Sequence, residues 1–153
     1  MTKCEFTTKS YVDYAISADK VIMIPTGVDP KKIKPGKNKF EKLTYLFVGN
    51  LQERKGVNEL LRAWKELDLQ DAQLIMCGRL YPDVNIEPYK NIKSIQFKGH
   101  TDPLPYYEKS HIFVLPSWYE GSAKVNHEAM ASGLAIVNTW EAGGPFKDGE
   151  AGI

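Results

Sequence analysis

Two glutamates, Glu120 and Glu128, bracket the stretch Gly121, Ser122, Ala123, Lys124, Val125, Asn126, His127. This stretch follows an apolar run that ends near Pro116, and its small residues lead into a helical pattern. A helix N-terminus offers unpaired backbone N–H groups and a partial positive charge, which together seat an anion such as phosphate. Small side chains at Gly121, Ser122 and Ala123 let a diphosphate approach the backbone closely. A helical spacing of this size spans ~12 Å, enough for one carboxylate at each end of an extended ligand. Carboxylates suit sugar and ribose hydroxyls because a cis-diol presents two donors to two oxygens. On residue type alone, both glutamates read more readily as ordinary solvated side chains.

A second group lies in Gly49, Asn50, Leu51, Gln52, Glu53, Arg54, Lys55, Gly56. Gly56 precedes an amphipathic helix, so Lys55 stands near that helix start, where a cation offsets phosphate charge. A solvated surface lysine is the plainer alternative. Gly56 is followed by Val57, so this is not the phosphate-cradling loop that ends in Lys and Ser or Thr, and no G-x-G-x-x-G is present. No D-x-D pair offers to hold a divalent metal, and the charge falls to Lys55, Arg54, Lys124 and the helix N-terminus.

The histidines His100, His111 and His127 lack metal-ligand spacing and are expected to be solvated or locally hydrogen-bonded. The backbone of Gly99, His100 and Thr101 is better placed than the His100 ring to frame a base. Trp118 and Tyr119 are a wall of the site or part of the core.

The elements that must position these groups are legible as alternation. Leu43 to Val48, Leu74 to Cys77, Ile112 to Leu115 and Ala135 to Val137 are near-continuous apolar runs, the pattern of strands covered on both faces. Ser94 to Lys98 is a weaker strand. Val57, Leu60, Leu61, Trp64 and Leu67 share one helical face, and Ala123 to Ser132 forms a helix that Gly133 ends in a left-handed turn. Alternating strands and helices predict an α/β, doubly wound parallel sheet, whose ligands bind at the carboxyl edge of the strands. Residues 1–25 read as a helix (Thr7 to Ser17) and a strand (Lys20 to Ile24) that pack elsewhere. Residues 26–42 have linker composition, and residues 43–153 form the sheet domain.

The composition is that of one globular domain, 42% hydrophobic and 25% charged, with a net charge of +1. Nothing in that balance calls for a nucleic-acid partner. Cys4 and Cys77 have neither zinc nor disulfide spacing, and Cys77, at the end of an apolar run, is expected to be an inert buried thiol. No leader-like N-terminus and no membrane span are visible, which makes cytoplasmic the expected location.

Taken in order, Y-L-F-V-G-N-L-Q-E-R-K-G (Tyr45 to Gly56), L-I-M-C-G (Leu74 to Gly78), F-K-G-H (Phe97 to His100) and F-V-L-P-S-W-Y-E-G-S-A-K-V-N-H-E-A-M-A-S-G (Phe113 to Gly133) resemble the C-terminal domain of GT-B glycosyltransferases of the retaining group 1, or family 4, type. The last stretch carries that group's E-x7-E signature. The resemblance implies a Rossmann-like sheet that is one half of a GT-B architecture, here truncated at its C-terminal edge and incomplete at Ile153. It implies a nucleotide-sugar donor (UDP-, GDP- or ADP-linked) as substrate, no metal and no further cofactor, and transfer of a hexosyl group to an acceptor. Lys55 matches the lysine on the donor diphosphate, Glu120 the glutamate against the donor sugar, and Glu128 the glutamate on ribose. Glu120 and Lys55 are the catalytic candidates. Gly49, Asn50, Arg54, Gly99, His100, Gly121, Ser122, Ala123, Lys124 and Val125 complete the donor-binding set, with the N–H groups from Ser122 to Val125 on phosphate. Asn50 stands where the group usually has arginine, and Pro145, Phe146, Lys147, Asp148 and Gly149 replace a longer stretch that carries a glutamate. The implied partners are the nucleotide sugar and an acceptor-binding domain in this or another chain, with peripheral membrane association of the full enzyme. The alternatives are a nucleotide-sugar epimerase of the same architecture and a non-catalytic nucleotide-binding remnant.

Overall fold

The apolar runs become strands because β-branched and aromatic residues in short, glycine-terminated segments fit a sheet buried on both faces. In the computed structural model, which describes residues 1–144, these are β1 (Leu43–Val48), β2 (Ala72–Cys77), β3 (Ile95–Gly99), β4 (Ile112–Leu115) and β5 (Ala135–Asn138). They form one sheet in the order β3-β2-β1-β4-β5, with every neighbouring pair parallel. The helices between them are α2 (Val57–Leu67), α3 (Leu104–Lys109) and α4 (Lys124–Ala131), and α1 (Glu5–Asp13) precedes the sheet. This is the expected α/β parallel architecture with flanking helices.

Phe47, Leu46, Leu74, Ile75, Met76, Phe113, Leu115 and Ile136 fill the core. Leu61 and Trp64 pack α2 onto the sheet. The Trp64 indole N–H donates to Ser94 Oγ at 3.0 Å, and its ring meets Tyr45 edge-on at 5.2 Å. Leu67 departs from the expected face: it is 64% exposed, because α2 ends there in the left-handed turn at Asp68. Gly133 takes φ 74° directly after α4, as its position predicts. Cys77 is a buried free thiol whose pKa burial pushes up to about 11, against an opposing pull from Lys98.

Two expectations for the first 42 residues need correction. Lys20 to Ile24 forms no strand. A single parallel bridge joins Thr2 to Met23, and among the described residues no longer ladder extends it. The first helix starts earlier than Thr7 and stops at Asp13, with Ala15 at φ 65°. This segment also reaches the sheet domain. Cys4 is buried, and both its Sγ and the Thr7 hydroxyl donate to the Gly121 carbonyl at 3.3 Å. The linker-like stretch is likewise pinned: Phe40 N–H donates to Lys109 O at 2.9 Å and Lys39 Nζ to Ser110 O at 2.7 Å. The readings that concern Pro145 to Gly149 and the end of the chain lie outside the described residues.

Candidate functional site

Strand order reverses between β1 and β4, and ligands of open parallel sheets bind in the crevice at such a switch point. The two loops that leave these strands, 49–56 and 116–123, meet there. Gly56 makes the meeting possible. It takes φ 67°, and a Cβ built on it would stand 2.0 Å from the Pro116 carbonyl oxygen. Only glycine satisfies both demands. The Trp118 N–H then donates to Arg54 O at 2.9 Å, which ties one loop to the other.

This junction brings together three residues singled out in the sequence. Lys55 Nζ pairs with Glu120 Oε1, and Arg54 Nη1 reaches the same oxygen at 3.2 Å. Ser117 Oγ donates to it at 3.3 Å. The side chains of Lys55 and Glu120 are each only 11% exposed, so each charge depends on the other for compensation. Arg54 is oriented from two further sides: its Nε donates to Gln52 Oε1 at 3.1 Å, and its guanidinium lies 5.9 Å from the Tyr119 ring centre. All the hydrogen bonding to Glu120 among the described residues falls on Oε1, and Oε2 takes none.

The helix that begins at Lys124 supplies the donors of the second expectation. Among the described residues, the N–H groups of Gly121, Ser122, Lys124 and Val125 make no hydrogen bond, whereas Ala123 N–H reaches Ala142 O at 3.4 Å. Ser122 Oγ is buried and unpaired among the same residues. Glu128 lies one turn further along. Its Oε1 pairs with Lys124 at 2.9 Å and its Oε2 accepts from the Tyr107 hydroxyl at 3.2 Å. Burial first, then the charge and hydrogen bond of Glu128, hold the Tyr107 pKa far above the usual phenol range, so this hydroxyl stays a donor.

His127 corrects another expectation. It is buried rather than solvated, and among the described residues neither ring nitrogen makes a well-formed hydrogen bond. Burial lowers its pKa; the nearby Ala123 carbonyl and the Glu128 carboxylate oppose the shift without cancelling it. Asn126, which residue type alone did not single out, is fully buried and donates from Nδ2 to Ala142 O at 3.1 Å.

The remaining candidates line the same edge without touching the charged group. Gly49 follows β1, and its carbonyl would stand 1.8 Å from a Cβ on Gly78, so the β1 and β2 ends pack backbone to backbone. Asn50 is exposed, and Arg54 rather than Asn50 supplies the second cation. Gly99 and His100 are exposed at the end of β3, where Gly99 O accepts from Gly78 N–H at 2.8 Å. Trp118 and Tyr119 are not core: both are exposed and line a shallow cleft with Glu53 and Arg54. Tyr107, Ser117 and the Cys4–Thr7 contact were not found by sequence reasoning. An apolar-face tyrosine, a serine after a strand and an N-terminal cysteine carry no signal of their partners.

Among the described residues no cluster of three or more His, Cys, Asp or Glu side chains is placed to hold a metal, and no helix is long and apolar enough to cross a membrane.

The sequence profile described as "Glycosyl transferases group 1" matches residues 42–153. A protein of Haemophilus influenzae described as an uncharacterized glycosyltransferase is 36% identical over 129 residues, which is 71% of this chain and 33% of that protein. The D-inositol 3-phosphate glycosyltransferase of Corynebacterium aurimucosum is 26% identical over 92% of this chain and 40% of its own length. The chain thus spans well under half of these relatives. Among solved structures, HepE of Anabaena, crystallised with UDP and glucose, superposes with a TM-score of 0.80 over 99% of this chain and 47% of its own, at 16% identity. TarM superposes equally well, at 0.80 over 99% of this chain and 32% of its own, at 17% identity.

Proposed function

The chain belongs to the group 1 glycosyl transferases, and on that footing we propose that it is the donor-binding half of a metal-independent, retaining hexosyltransferase. The observation that carries this reading is the convergence of Arg54, Lys55 and Glu120 at the β1/β4 switch point, beside the N–H groups at the start of α4 that make no hydrogen bond among the described residues. Two cations and a helix N-terminus form a seat for a diphosphate. Glu120 stands at the sugar end, Glu128 at the ribose end, and Gly99 and His100 at the edge where a base would lie. The presence of UDP and glucose in the HepE structure agrees in kind with such a ligand.

In the reaction the bond between the anomeric carbon and the diphosphate oxygen breaks, and its electron pair stays on that oxygen. The acceptor hydroxyl oxygen bonds to the anomeric carbon on the same face, and its proton passes to the leaving phosphate. Negative charge therefore grows on the diphosphate in the transition state. Arg54, Lys55 and the N–H groups of Ser122, Lys124 and Val125 are the groups that stabilise it. Transfer requires an acceptor-binding domain, in this or a partner chain, and the whole enzyme works in the cytoplasm with peripheral membrane contact.

Calorimetry with UDP, GDP and ADP in the presence of a chelator tests this. At least one is expected to bind. Failure of all three, or binding only after a divalent metal is restored, removes the donor-site reading.

A further inference from the structure

We infer that Glu120 occupies the diphosphate's seat when no diphosphate is bound, and that it gives up both cations to the incoming phosphate. This rests on the reading of the Arg54–Lys55 region as a diphosphate seat. Three observations lead to it. Both cations converge on a single oxygen of a single carboxylate, so an incoming anion has to compete with that carboxylate for their charge. Lys55 and Glu120 are nearly withdrawn from water, which makes an uncompensated Lys55 costly but makes exchange of one anion for another cheap. And Glu120 hangs on the 116–123 loop, outside any helix, whereas Glu128 is fixed on α4 between Tyr107 and Lys124.

The exchange links two recognition events. A carboxylate displaced from Lys55 needs donors, and the sugar hydroxyls of the same donor molecule supply them. A nucleoside diphosphate without its sugar displaces Glu120 and offers nothing in return. Intact donor is therefore held more tightly than the spent nucleotide, which favours product release. Glu120 thus acts as a specificity residue through competition as well as through contact.

Inorganic pyrophosphate separates this role from simple sugar recognition, because it has neither sugar nor base. Calorimetric titration of the whole chain is expected to show Glu120→Gln binding pyrophosphate roughly tenfold more tightly than the unaltered protein. Glu120→Asp, which keeps the charge but shortens its reach to Lys55, is expected to lie between them and carries the test if the glutamine variant melts early. Glu53→Gln removes a charge from the same loop region without touching Lys55 and is expected to change nothing. An unchanged or weaker affinity in both Glu120 variants overturns the inference and leaves the donor site standing. Equal tightening in Glu53→Gln overturns it too, since general electrostatics then suffices. If neither the unaltered protein nor any variant binds pyrophosphate, UDP, GDP or ADP, the seat itself is wrong and the inference falls with it.

Discussion

Glu120 and Glu128 belong to one short motif, yet the molecule treats them differently. Glu120 is loop-borne, and its partners Arg54 and Lys55 come from a loop more than sixty residues away in sequence, brought close by the β1/β4 switch point. Glu128 is helix-borne. Lys124, one of its partners, comes from the preceding turn of the same helix, and the other, Tyr107, is a buried hydroxyl that never ionises near neutrality. The first arrangement is a contact between two loops, exchangeable on the inference drawn above. The second is a fixed mount, which keeps one carboxylate aimed whatever occupies the site. A shared sequence signature therefore does not imply a shared mechanical role.

The largest expected effect comes from separating the two loops. Gly56→Ala forces a side chain into a left-handed position and against the Pro116 carbonyl, at a cost of about 2–4 kcal/mol in a denaturant unfolding series. It should disturb the Glu120 side while leaving the Tyr107–Glu128 bond intact. A variant as stable as the parent would mean that the loops meet some other way.

Lys55→Ala acts on one side of the comparison alone. Nucleoside diphosphate affinity is expected to fall about 10- to 150-fold, or ~1.5–3 kcal/mol, by calorimetry. Retained affinity would shift the anion site onto the α4 N-terminus by itself.

Tyr107→Phe probes the other side. Loss of one hydrogen bond to a charged group should cost about 1.5–3 kcal/mol of stability, toward the lower end because Glu128 keeps some solvent and Lys124. Pyrophosphate affinity should stay within about twofold. A large loss of pyrophosphate binding would show that the fixed mount and the exchangeable contact are coupled.

The mildest effect is one of pH. Burial depresses the His127 pKa in the folded state below its ordinary value of about 6.5. Between the two values the unfolded chain binds more protons, so stability rises with pH across that window. The contribution is fully present above the unfolded value and is lost as pH falls through the folded one. His127→Leu should flatten that slope in thermal melts between acid and neutral pH, and an unaltered slope would assign the acid sensitivity to other groups.

Much of the fold was legible because burial on both faces leaves a local record. Leu43–Val48 and Ile112–Leu115 are strands with the bounds their apolar runs suggest, and Gly133 stops α4 where a glycine after a helix should. The candidate site was legible in its residue types: Lys55, Glu120 and Glu128 stand out by position at strand-to-helix edges. Their partners did not. Nothing in the text around Tyr107 points to Glu128, and nothing near Cys4 points to Gly121. Lys20 to Ile24 reads as a strand because four apolar residues precede a proline, but among the described residues one bridge to Thr2 is all the pairing it finds.

The sequence by itself determined the five sheet strands, the helices α2 and α4, the glycine that stops α4, and which residues carry charge to the sheet's carboxyl edge. Those properties are set by a few neighbouring residues: period, propensity and backbone freedom. Only the tertiary structure decided that Arg54 and Lys55 share one oxygen of Glu120, that Tyr107 holds Glu128, and that the N-terminal helix closes on Gly121. Those contacts depend on strand order and loop approach, and a backbone collision avoided at Gly56 decides them as much as any attraction does.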